Sequence, residues 1–263
     1  MNDYKEINRI AWNLKTNVHV DSEFYDNEAF LQGKSSLKHI ELNLLGDVKG
    51  KSILHLQCHF GQDTVSLSRL GADVTGVDLS DNAIGFAENM AKELAVDTKF
   101  VCSDIYDLPA VLEEKFDLVF TSYGVIAWLP DMQRWAEVIS HYLKPGGRFV
   151  MVEFHPAVWM FGDDFRSIDY SYFKTGEIVE RLEGSYADEN FGIQYSTVTW
   201  NHSLSEVINS LIREGIRITQ FNEYDYSTQN CFKHTVEKDE EKYQIKHLND
   251  KLPMIFAIEG IKG

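Results

Sequence analysis

Cysteine is scarce in this chain, and basic residues are a minority among its charges. The three cysteines, Cys58, Cys102 and Cys231, are odd in number and far apart. They form no zinc-ligand spacing, so no metal site is expected, and they fit a reducing cytoplasm rather than a disulfide framework. Cys102 reads as a small hydrophobe in a buried strand. Lys and Arg number 25 against 41 Asp and Glu, a formal net charge of −16. Nucleic acid is held by clustered Lys and Arg, so this balance argues against such a partner. No apolar run approaches membrane-spanning length. The first residues, MNDYKEINRI, lack the basic and apolar regions of a signal peptide. Internal repeats and low-complexity segments are absent. What remains is a 263-residue chain, 44% hydrophobic, sufficient for one large domain with an inserted cap.

The richest stretch is residues 51–80, KSILHLQCHFGQDTVSLSRLGADVTGVDLS. An apolar run over 52–57 predicts a strand, and residues 58–62 predict a turn centred on Gly61. Helical spacing follows over 64–70 and stops at Gly71. Residues 74–77 predict a second strand, with Asp78 at its carboxyl end. In a parallel α/β sheet ligands bind outside the carboxyl ends of strands. A loop there can aim backbone N–H groups at an anion, and Asp78 can accept hydrogen bonds from two ribose hydroxyls. The unit therefore predicts a nucleoside site.

Ahead of it, Ile7, Ile10, Ala11, Leu14 and Val18 fall at helical spacing, and a second helix is expected over 27–45. After it, Ser80 is a good N-cap for a helix reaching Leu94. Strands are expected over 99–102, 116–121 and 148–154, with a helix over 132–143 and a Pro145-Gly146-Gly147 turn. This alternation predicts a parallel sheet with right-handed crossovers. From Phe154 to Trp200 eleven aromatic residues crowd a glycine-punctuated segment without helical period, which reads as a cap of short strands and loops. Helical pattern returns at Ser203, whose Ser-Leu-Ser-Glu run is a capping box. Strands close the chain over 216–221 and 254–261. The charge run EKDEEK at 237–242 reads as a solvated loop or helix face.

Over roughly residues 51–263 the order of these signals resembles the class I S-adenosylmethionine-dependent methyltransferases. The motifs behind the resemblance are the loop His55-Leu56-Gln57-Cys58-His59-Phe60-Gly61, the acidic Asp78, the pair Ser103-Asp104 followed by Ile105, the strand Phe116-Asp117-Leu118-Val119-Phe120-Thr121-Ser122, and the turn Leu143-Lys144-Pro145-Gly146-Gly147. His55 stands at the family's acidic position, and Gln57 and His59 replace two usual glycines, so those side chains could add hydrogen bonds of their own. The resemblance implies a Rossmann-like α/β fold with a seven-stranded, mostly parallel sheet and helices on both faces. It implies an N-terminal helical lid over 1–50, a cofactor-binding core over 51–154, a substrate cap over 155–202 and the rest of the core over 203–263.

It also implies S-adenosylmethionine as cofactor, with S-adenosylhomocysteine as product. The implied cofactor contacts are Gln57, Cys58, His59, Gly61, Asp78, Leu79, Ser80, Ser103, Asp104, Ile105, Thr121 and Ser122, with Trp12 and Tyr25 from the lid. His155, Glu153 and Tyr123, near the ends of the fourth and fifth strands, are the implied catalytic candidates. Asp63 is read as capping the helix from Thr64. The aromatic insert suggests a pocket for a small, partly apolar acceptor. After the fourth strand the chain has Thr121-Ser122-Tyr123-Gly124 rather than the family's Asn-Pro-Pro-Tyr mark for base amines, and it has no Pro-Cys pair. The expected protein is a cytoplasmic small-molecule methyltransferase, monomer or homodimer, with neither nucleic acid nor membrane as partner. Two alternatives are a non-catalytic module that binds S-adenosylmethionine and an NAD(P)-dependent oxidoreductase. The oxidoreductase reading lacks a G-x-G-x-x-G loop.

Overall fold

Three helices precede the sheet: α1 (Tyr4–His19), α2 (Asn27–Leu31) and α3 (His39–Leu45). The computed structural model describes residues 3–188 and 191–263; Met1 and Asn2 of the expected lid and Glu189 and Asn190 of the expected cap lie outside them. The single helix expected over 27–45 is thus two helices and a link. Gly33 turns to φ 110°, the Ser36 hydroxyl is drawn to the distant Asp63 carboxylate, and the Ser35 hydroxyl accepts locally from Leu37 N–H. Such a local bond offers the backbone an alternative to helix.

Beyond them the chain alternates through β1 (Ser52–Leu56), α4 (Gln62–Arg69), β2 (Asp73–Asp78), α5 (Asp81–Glu93), β3 (Lys99–Cys102), β4 (Phe116–Ser122), α6 (Met132–Tyr142) and β5 (Leu143–Phe154). A hairpin, β6 (Ile178–Glu183) and β7 (Gln194–Thr199), forms part of the cap. Then come α7 (Leu204–Arg213), β8 (Ile216–Tyr224), a second hairpin of β9 (Thr235–Asp239) and β10 (Lys242–Ile245), and β11 (Ile255–Lys262). The seven-stranded sheet runs β3-β2-β1-β4-β5-β11-β8. Strands β1 to β5 are mutually parallel, and β11 is antiparallel to both β5 and β8.

Side chains alternate across the sheet as a period of two requires. On β5, Phe149 and Met151 join the core packed by Trp135 and Tyr142 of α6 and Val207 of α7, while Val150 and Val152 join Ile40 and Leu44 of α3 on the other face. The Pro-Gly-Gly turn is a bulge within β5, where pairing jumps from Phe116↔Leu143 to Leu118↔Arg148.

Three further expectations fail, the last in part. Cys102 is exposed, because β3 is the sheet's edge strand. The charge run at 237–242 is neither loop nor helix but the turn and flanks of the β9–β10 hairpin. Helix α1 buries only part of the predicted apolar stripe: Ala11 and Val18 are buried, Ile7 and Leu14 half-buried and Ile10 exposed, and the buried face also carries Asn8, Lys15 and His19. The cause is its partner. α1 lies on the cap strand β7, where the Asn8 amide donates to Val198 O and accepts from Val198 N–H at 2.8 and 2.9 Å. No helix among the described residues is long and apolar enough to cross a membrane.

Candidate active site

The loop from β1 to α4 turns back above the carboxyl ends of β1 and β2. It does so by placing Gln57, His59 and Gly61 at φ 57°, 51° and 85°. The two positions expected to be glycine keep a left-handed backbone without being glycine, a conformation that costs a side-chain-bearing residue about 1–2 kcal/mol. Strain of this kind persists only where surroundings over-determine it. Here Gln57 Nε2 donates to Val125 O at 2.9 Å, and His59 N–H donates to Asp78 Oδ2 at 2.8 Å. The His59 ring meets His19 of α1, Nε2 to Nδ1, at 2.8 Å. Gly61 is required sterically: a Cβ there would lie 2.8 Å from the Phe100 ring and 2.9 Å from Ala87 Cβ.

Asp78 ends β2. Besides His59, it accepts from Ser80 N–H at 2.9 Å, and its oxygens keep acceptor capacity toward the cavity beside it. Burial raises its pKa to about 6, against the lowering effect of those backbone bonds. After β3, Asp104 accepts Tyr106 N–H and an ion pair from Lys5 of α1 at 3.0 Å, so the N-terminal helix is tied directly across the third-strand motif.

These residues line one cavity of about 780 Å³, together with Gln57, Cys58, Leu79, Ser103, Ile105 and Ser122. Trp12 and Tyr25 line it from the N-terminal segment, as Tyr123 does from the end of β4. A further wall is aromatic: Phe154, Trp159, Phe161, Phe165 and Phe232 make successive ring contacts at 5.0–5.8 Å. Phe232 arrives from the stretch between β8 and β9, which carried no sequence signal.

Residues 54–151 match the family described as "Methyltransferase domain". Over that stretch the chain is similar to a methyltransferase domain. A ubiquinone biosynthesis O-methyltransferase of Coxiella burnetii is 33% identical over 112 residues, covering 43% of this chain and 46% of that protein. The chain therefore spans about half the length of this curated relative. Among solved structures, a putative S-adenosylmethionine-dependent methyltransferase from Listeria monocytogenes superposes with a TM-score of 0.59 at 19% identity, covering 90% of this chain and 99% of that one. The magnesium protoporphyrin IX methyltransferase of Synechocystis, solved with bound S-adenosylhomocysteine, gives 0.54 at 15% identity, covering 99% and 100%. At these identities the structural likeness is one of fold, and the fold is that of the class I methyltransferases.

Within this methyltransferase fold, four expected site residues lie away from the cavity. Ser80 is buried as the cap of α5, accepting Ala83 N–H and donating to Asn13. Thr121 is buried in the sheet, its hydroxyl directed at Leu56 O. Glu153, a candidate base, is fully buried and accepts four backbone N–H groups, from Gly124, Val125, Ile126 and Phe154. It anchors the loop after β4. His155, the other candidate base, has both ring nitrogens engaged: Nδ1 accepts Ala157 N–H at 3.0 Å, and Nε2 meets Glu223 at 2.9 Å. Asp63 does not cap α4, whose N-cap is Gly61; it accepts the Ser36 and Ser122 hydroxyls instead.

Tyr123 stands on a carboxylate the sequence reading missed. Its hydroxyl donates to Glu41 of α3 at 2.7 Å and accepts from Thr228 at 2.9 Å. Burial, followed by the Asp63 charge, raises Glu41 to about 7. Between about pH 4.5 and 7 the folded chain then holds a proton that the unfolded chain has released, so stability falls as pH rises through that window. Asp78 acts in the same direction between about pH 4 and 6. Glu41→Gln is expected to flatten the dependence, by up to about 3 kcal/mol. Chemical denaturation at about pH 5 and pH 7.5 measures it; an unchanged difference in the variant would refute the assignment.

Proposed function

We propose that this chain is a small-molecule methyltransferase that uses S-adenosylmethionine, bound along the carboxyl edge of β1, β2 and β3. The carrying observation is convergence: the Gln57–Gly61 loop, Asp78 and the Ser103–Ile105 segment all line one cavity. The residues fit the cofactor. A buried carboxylate with acceptor capacity suits a ribose diol, and the glycine-only contact at Gly61 lets the loop pass low over the sheet. Asp78 would hold the ribose, and Ser103, Asp104 and Ile105 the base.

S-adenosylmethionine supplies a methyl group already activated on a sulfonium. What the protein adds is alignment and the exclusion of water. Helix α1 and the cap hairpin serve as a roof, joined to each other through Asn8 and Val198 and to the site through Lys5 and Asp104. The aromatic wall suits an acceptor with an apolar or ring-bearing body. Tyr123, held between Glu41 and Thr228, is the catalytic candidate that faces the cavity; its O–H is spent on Glu41, so its role is to accept, through the remaining oxygen lone pair, a hydrogen bond from the acceptor's nucleophile. The oxidoreductase alternative fits poorly: a dinucleotide sheet continues 3-2-1-4-5-6, whereas here antiparallel β11 separates β5 from β8.

Calorimetric titration with S-adenosylhomocysteine, with NADH as control, tests this. Saturable binding of the first alone is expected. Binding of NADH, or of neither, would refute the reading.

A further inference from the structure

Lys15 is a cation without a counterion at the wall of this cavity. It is 6% exposed. Its Nζ lies 4.7, 4.9 and 5.1 Å from the ring centroids of Trp12, Trp128 and Tyr195. Those three rings line the cavity with it. Among the described residues no carboxylate, carbonyl or hydroxyl accepts a hydrogen bond from it. The other lysines on the cavity wall are each paired: Lys34 with Asp26, Lys38 with Glu241 and Lys233 with Asp163. The nearby His59 and His19 are bonded to each other and held neutral by burial, with the Lys15 charge adding to the effect. They offer no negative charge.

An ammonium with three donors is expensive to bury unpaired. Ring faces offset part of that cost through cation–π attraction but accept none of the three N–H bonds. Burial lowers the pKa only to about 8, so the group still carries its charge near neutral pH. Packing alone gives no reason for a lysine here, since a methionine would fill the same aromatic slot without the penalty.

We infer that Lys15 is the carboxylate receptor of the site: its unpaired ammonium, walled by Trp12, Trp128 and Tyr195, takes a carboxylate of a ligand bound in the cavity. The inference rests on the cofactor reading above. That carboxylate belongs either to the amino-acid end of the cofactor or to the acceptor.

The test compares matched ligands in calorimetry with the full chain and its Lys15→Met and Lys15→Arg variants. One pair is S-adenosylhomocysteine and its decarboxylated amine analogue. The other, titrated in the presence of S-adenosylhomocysteine, is hydroxybenzoate and its methyl ester. In the wild type, the acid of one pair should bind about 10- to 100-fold more tightly than its carboxylate-free partner. Lys15→Met should abolish that preference while leaving the carboxylate-free ligand unchanged, and Lys15→Arg should retain most of it. Preference within the first pair assigns the carboxylate to the cofactor, and within the second to the acceptor. Melting temperature separates function from folding: ligand-free Lys15→Met should melt higher than the wild type, because an unpaired buried charge is gone. A carboxylate preference that survives in Lys15→Met, or is absent from both wild-type pairs, overturns the inference alone. Failure of both nucleosides to bind the wild type overturns the cofactor reading, and this inference with it.

Discussion

Asp78→Asn is expected to weaken S-adenosylhomocysteine binding by about 100-fold or more while leaving the chain folded. In the proposed function the carboxylate would accept from two ribose hydroxyls. Hydrogen bonds to a charged group contribute about 1.5–3 kcal/mol each, and about 1.4 kcal/mol is a factor of ten in affinity. Asparagine keeps the volume and one acceptor oxygen, so one of the two backbone bonds from His59 and Ser80 can survive. It also removes a charge that burial disfavours, as the pKa raised to about 6 records. Loss of the charge therefore offsets loss of a backbone bond, and the melting temperature should move by a few degrees at most. Calorimetry and thermal melts on the same preparation decide the matter. Wild-type affinity in Asp78→Asn would mean that this aspartate only braces the loop.

Gly61→Ala should produce a large loss of stability for a single methyl group, about 2–5 kcal/mol. Two costs add. The position has φ 85°, which costs an alanine about 1–2 kcal/mol. Its Cβ would sit 2.8 Å from a Phe100 ring carbon and 2.9 Å from Ala87 Cβ, and overpacking of a core costs about 1–3 kcal/mol. Neither neighbour is a flexible side-chain end. Gly146→Ala separates the contributions, because Gly146 has a similar φ of 75° with nothing within 4 Å of its would-be Cβ. Only the backbone cost should appear there. Equal denaturation midpoints for the two variants would show that the Phe100 contact is not a constraint.

The core elements were legible because each carries its own periodicity. The five parallel strands, the helices between them and the acidic end of β2 all follow from local hydrophobic spacing and turn chemistry. The residues that the resemblance implied for the cofactor share one cavity because those after β1, β2 and β3 lie where those strands stop. Legibility fails where a residue's role depends on what packs against it. Lys15 fell on the helix face shared by Ala11 and Val18, and a charge inside a buried stripe was the one available sign of it. Glu41 and Phe232 carried no sign, because their partners lie 82 and 78 residues away in sequence, at Tyr123 and Phe154.

His155 and Glu153 show the same division from the other side. Their place at the end of the fifth strand is a property of the chain, and it made both plausible bases. Their engagement is a property of the assembled fold: four N–H groups of the neighbouring loop close on one carboxylate, and Glu223 of β8 closes on the imidazole. By itself the sequence determined the core strands and helices and the turn after β1, because those depend on interactions between near neighbours in the chain. Only the tertiary structure decided which polar groups still face the cavity, because a hydrogen-bonding group is available to a ligand only if no distant segment has already satisfied it.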